Sequence, residues 1–116
     1  MSDLQTAGSA LPPPTLSEIQ PAHAFEDSAA WCDQWLARFT TLPDTWCDRW
    51  ADHPEAAARI HALWEAWEAA LAEGGGAMST WWLLHHAGHM DVLGSSRGPF
   101  SRCHNGHVAH TPRTPR

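Results

Sequence analysis

The stretch HPEAAARIHALWEAWEAALAEGGG, residues 53–76, decides the fold class. Ala56, Ala57, Ile60, Leu63, Trp64, Trp67 and Leu71 recur at three- and four-residue intervals, which lays one wide apolar face along a helix. Glu55, Arg59, Glu65, Glu68 and Glu73 fall mostly on the other face and read as solvated. Asp52 or His53 stands at the cap position, Pro54 suits the first turn and Glu55 complements the helix dipole. Gly74-Gly75-Gly76 stops the helix and reads as a linker, since no strand precedes it to make a phosphate loop.

Working outward toward the N-terminus, Phe25, Ala29, Trp31, Cys32, Trp35, Leu36 and Phe39 predict a helix from about 25 to 39. Thr40-Thr41-Leu42-Pro43 breaks it, because the residue before a proline disfavours helix. Asp44 is placed to cap a short helix, Thr45 to Ala51. The segment Trp31-Cys32-Asp33-Gln34-Trp35 returns as Trp46-Cys47-Asp48-Arg49-Trp50. Each copy makes one apolar stripe, and the two stripes are expected to pack on each other. Toward the C-terminus, Met78 or Ser79 opens a helix that runs to Leu93, with Ser79 as the natural cap. Gly88 within it marks a kink or a close helix contact, and Gly94 ends it.

The expected fold is all-α: a small Trp-rich bundle of three main helices plus one short helix, over residues 23–108. The C-terminal loop folds onto the third helix. Residues 1–22, with Pro12-Pro13-Pro14, read as a disordered leader, and 109–116 as a disordered basic tail.

Composition narrows the function classes. There are 8 Trp and no Tyr in 116 residues, so the core of this short chain is built from Trp, Leu and Ala. Net charge is −6, which excludes a general nucleic-acid-binding surface. The charge is uneven: up to Leu93, 13 acids face Arg38, Arg49 and Arg59, whereas from Gly94 on there are no acids and four arginines, Arg97, Arg102, Arg113 and Arg116. All basic residues are Arg, a habit of GC-rich genomes. Three cysteines and a start without an apolar run argue against a secreted disulfide scaffold. No window reaches the length of a membrane span, and the chain reads as cytoplasmic.

The sharpest chemical signal is the stretch Trp81 to His107. His85 and His89 sit four apart on the third helix, and Cys103 and His107 sit four apart beyond the turn Gly98-Pro99-Phe100. Thiolate plus imidazole favours zinc over magnesium or calcium. The expected ligand set is therefore His85, His89, Cys103 and His107, a structural zinc pinning the tail onto helix three. Cys47 is the substitute ligand in place of His107. If one ligand is missing, water fills the position and hydrolysis becomes conceivable. The competing reading leaves His85 and His89 as partly buried helix residues and Cys103 as a small apolar plug. A catalytic pair of Cys103 or Cys47 with His85 lacks any local nucleophile signature.

The run Trp46-Cys47-x-Arg49-Trp50-x-x-His53-Pro54-Glu55-Ala56, with Arg59-x-x-Ala62-Leu63-Trp64-x-Ala66-Trp67-Glu68, Met78-Ser79-x-Trp81-Trp82, His85-x-x-x-His89 and Gly98-Pro99-Phe100-x-x-Cys103, resembles an actinobacterial family of unknown function, numbered four-nine-one-three. That family often has Pro where this chain has Gly88, and its first helix does not usually carry a Trp-Cys-Asp-x-Trp copy. The resemblance implies a setting on mobile elements and phages and supplies no activity. Two function classes stand: a non-enzymatic accessory protein of such an element that contacts another protein, with weak nucleic-acid contacts through the Arg tail as a variant, and a metal-dependent hydrolase built on the His-rich site.

Overall fold

The computed structural model describes residues 23–113, and the expected leader lies outside them. Three helices carry the fold, and the described residues contain no strand. Helix α1 (28–39) begins at Ser28, where the Asp27 carboxylate accepts from the Ala30 amide at 2.8 Å. That bond satisfies one of the free amides of the first turn. Helix α2 is Pro54–Glu73, and helix α3 covers 77–93. Both α1 and α3 pass through a wider π-helical turn, Cys32–Leu36 in the first and Trp81–His86 in the second.

Four expectations change at the ends and faces of the elements. Ser79 lies inside α3, which opens one or two residues earlier, at Ala77 behind Gly76. The short helix expected over 45–51 is one 3₁₀ turn, Trp50–Asp52. Before that turn, the Trp46 amide bonds back to Pro43 O at 3.0 Å, so Trp46 and Cys47 sit on a turn and not on a helix face. Leu71, assigned to the apolar face of α2, is 52% exposed, and Ala70 takes the buried place beside Trp67. Gly88 meets no neighbour: a side-chain carbon there would touch nothing within 4 Å. The break in α3 falls one turn earlier, in the π-helical segment.

The two Trp-Cys-Asp-x-Trp segments go to different places. Trp31 and Trp35 stack 5.7 Å apart and meet Trp67 of α2 and Trp81 of α3. Trp46 instead packs on Phe100 at 5.1 Å. Trp31, Leu36, Ile60, Leu63, Trp81, Leu93 and Phe100 are all but fully buried. Each buried Trp removes roughly 150–250 Å² from water, worth roughly 4–6 kcal/mol at about 25 cal/mol/Å². The Trp81 indole N–H also donates to Leu63 O at 3.0 Å, which ties α3 to the middle of α2.

Glu68 corrects the reading of α2 as polar on its outer face. It is 7% exposed, and its carboxylate accepts from the Ala24 amide (2.8 Å), the Phe25 amide (2.9 Å) and the Trp64 indole (2.9 Å). A buried carboxylate is tolerable because three donors replace its water. The bonds hold the chain entering α1 against α2, where Phe25 lies 5.8 Å from Trp67.

The C-terminal loop leaves α3 through a tight turn. A side-chain carbon at Gly98 would sit 2.1 Å from Val92 O, so only glycine fits. Beyond the turn the loop packs across the 46–53 segment and the head of α2. Phe100 contacts Trp46 and His53, and His107 contacts His53. The expectation that it would lie along the histidine face of α3 is corrected accordingly. The reason is Phe100, whose fully buried ring is captured between Trp46 and His53.

Candidate metal centre

Two turns present the site. The first is the chain between α1 and α2, where Cys47 precedes the 3₁₀ turn and His53 stands at the cap position of α2. His53 makes no side-chain capping bond, because its ring turns the other way: Nε2 lies 3.5 Å from Cys103 Sγ. Pro54 follows at the first helical position and fixes where His53 stands. The second turn is Cys103-His104-Asn105-Gly106-His107. Its Gly106 has φ +115, and its amide bonds to Cys103 O at 3.0 Å. This left-handed position curls the chain so that His107 returns beside Cys103.

The four side chains converge. Cys47 Sγ lies 3.2 Å from His107 Nδ1, and one donor atom from each of Cys47, His53, Cys103 and His107 falls within 4.8 Å of all the others. Donor atoms around a tetrahedral zinc, with bonds of about 2.0–2.3 Å, stand about 3.3–3.8 Å apart. The cluster is therefore close to the right size. Cys47, His53 and Cys103 are buried and His107 is half-buried.

Backbone amides support the sulfurs. The Val108 amide donates to Cys103 Sγ at 3.4 Å, and the Arg49 backbone is hydrogen-bonded to the Cys47 thiol and favours its ionised form. Such N–H donors orient and stabilise thiolate ligands in metal sites. Burial outweighs that help, and with Cys103 beside it the Cys47 thiol is pushed above its ordinary range. Burial, then the neighbouring His107, pushes His53 down, which keeps it neutral as a ligand must be. Two thiols crowded against two imidazoles make a poor place for negative charge alone and a good one for a dication that both thiolates can share.

Of the residues singled out in the sequence, the structure brings together Cys103 and His107 and joins them with Cys47. His85 and His89 are not part of this cluster. His89 Nδ1 accepts from the Arg59 guanidinium at 3.0 Å, and Arg59 is also held by Glu55 at 2.9 Å. His85 lines a shallow cleft with Ala66, Ala70, Glu73 and Trp81. Cys32 lies in the apolar core with its pKa pushed up to about 12 by burial and then by Asp33, an inert thiol. His53 is the cluster member that the sequence does not single out, since a residue before Pro54 reads first as a helix cap. The signal was present as a second Cys/His pair, Cys47 and His53, on a connection too polar and broken to form a helix.

The family model described as Domain of unknown function (DUF4913) matches residues 25–116. The chain belongs to the DUF4913 family. The match takes in all three helices and all four clustered side chains of this member. No curated protein and no solved structure matches the chain. Among the described residues, no helix is long and apolar enough to cross a membrane.

Proposed function

We propose that this DUF4913 member is a non-catalytic binding module whose loop half is held by a structural zinc ion on Cys47, His53, Cys103 and His107. The observation that carries the reading is the closed donor set: four protein side chains within 4.8 Å of one another, three of them buried. Two thiolates and two imidazoles complete a tetrahedral shell and neutralise the ion. A hydrolase would need three ligands and an open position for water, so the count supports the non-catalytic alternative. Zinc is the choice because thiolate and imidazole donors in a tetrahedron select it over magnesium, calcium or manganese.

Exposed apolar side chains support a role in contacting another protein. Leu83 and Leu84 are 72% and 69% exposed on α3, and Trp82 beside them is partly exposed. An accessory role on an actinobacterial mobile element, in the cytoplasm, is the setting this reading fits.

The test is elemental analysis of the purified protein with a melt before and after a strong chelator. One zinc per chain and a large fall in melting temperature on chelation are expected. A metal-free protein whose melt ignores both chelator and added zinc overturns the reading.

A further inference from the structure

A cleft of about 250 Å³ opens between the Gly98-Pro99 turn and the returning chain at 108–111. Arg97, Ser101, Arg102, His110, Thr111 and Glu55 line it. Neither Arg97 nor Arg102 meets a carboxylate among the described residues, and Glu55 is already engaged by Arg59 at 2.9 Å. The chain from Gly94 to its end holds no acid at all. Arg97, Arg102, Ser101 and Thr111 thus border one polar space in which Glu55, held by Arg59, is the one carboxylate-bearing residue among the described residues. The volume falls below the roughly 300–1,000 Å³ of a pocket for a whole small molecule, so it suits one group and not a cofactor.

We propose that this cleft binds a phosphate monoester. A guanidinium fork matches the oxygens of a phosphate two at a time, and the hydroxyls of Ser101 and Thr111 supply further donors. Charge elsewhere separates a monoester from a nucleic-acid strand. The chain up to Leu93 has 13 acids against three arginines. A long polyanion would be opposed by that excess of negative charge, which acts over a screening length of about 8–10 Å. A monoester places two charges at one point and avoids it. The cleft is also tied to the metal turn, since Arg102 precedes Cys103 and Val108 to Thr111 follow His107.

The proposal goes beyond the zinc reading and is tested apart from it. The full chain is titrated with inorganic phosphate, phosphoserine and a single-stranded oligonucleotide while the amide signals of Gly98, Ser101 and Arg102 are followed by NMR. Metal content is measured on every sample. Saturable shifts with phosphate and phosphoserine are expected, weakened on the order of tenfold in the double variant R97Q/R102Q with metal content unchanged. Tighter binding of phosphoserine assigns the monoester to a protein side chain, and equal binding to a free metabolite. Either result sustains the proposal. Absent or non-saturable shifts overturn it, as does binding of the oligonucleotide alone. Retained zinc in that case leaves the metal reading standing.

Discussion

The two halves of the molecule are held by different means. In one half, α1, α2 and α3 bury Trp31, Trp67 and Trp81 against one another, and the cohesion comes from apolar area. In the other, residues 40–53 and 94–110 form turns with a single 3₁₀ segment, and Trp46, Trp50 and Phe100 are its large aromatic side chains. Phe100 and Trp50 anchor it to the core, and the four Cys and His side chains gather beside them. A domain this short cannot supply a second core, and under the proposed reading a metal takes its place.

The contrast is broken most directly at the ligands. Cys103→Ser is expected to cost at least about 3 kcal/mol, or roughly 12–24 °C in melting temperature, with loss of bound zinc. His85→Ala and His89→Ala are expected to keep the metal and to cost no more than about 1 kcal/mol each. If His85→Ala releases zinc and His53→Ala does not, the assignment of ligands is wrong. Metal analysis and thermal melts of the four variants decide it.

The next largest effect belongs to the helical half. Glu68→Ala removes the acceptor for two backbone amides and the Trp64 indole and leaves buried donors unpaired. It should cost about 2–3 kcal/mol, against less than about 0.5 kcal/mol for the exposed Glu65→Ala, with zinc unaffected in both. Denaturant titration gives both values. A Glu68 variant as stable as the parent would mean that the junction at 24–25 adds nothing to the core.

The same division shows what could be read from the sequence. The helical half was legible because its periodicity is local: apolar residues three and four apart mark the buried stripe of α2 whatever it packs against. Glu68 escaped because helical spacing does not reveal that the chain at 24–25 arrives with two free amides. In the loop half, Cys103 and His107 were legible as a close pair on a turn, and Cys47 as a substitute ligand. His53 was not, because a residue before Pro54 reads first as a cap. His85 and His89, regularly spaced on α3, lie outside the cluster. Helical spacing fixes a shared face, and Arg59 of α2 had already claimed His89.

Acid should probe the helical half even when zinc is gone. The His86 ring lies against Trp81 and Trp82, its Nε2 is buried without a partner among the described residues, and burial pushes its pKa below 6.5. His89 is pushed the same way, by burial, then Arg59, then His85. The unfolded chain therefore takes up protons at a pH where the folded one does not. The stability contributed by the neutral rings is complete above the unfolded value of 6.5 and falls as the pH drops below it toward the lowered folded values. In chelated protein the melting temperature is expected to decline below pH 6.5, and His86→Phe should flatten that decline. An equal slope in the variant would place the pH sensitivity elsewhere.

The smallest expected effect is a gain. Gly88 lies in the regular part of α3, Ala87–Leu93, without positive φ, and a side-chain carbon there would meet nothing within 4 Å. Glycine in such a position costs roughly 0.5–1 kcal/mol against alanine, because its unfolded backbone has more freedom to lose. Gly88→Ala should therefore stabilise the protein by about that amount, and by the same amount with or without zinc. Gly98→Ala, in the loop half, should do the opposite, since its added carbon is driven into Val92 O. One glycine is spare and the other is required, so the pair reads the two halves independently. Equal gains from Gly88→Ala in loaded and chelated protein would show that the helical half folds without the metal. A gain that vanishes on chelation would show that the two halves fold as one unit.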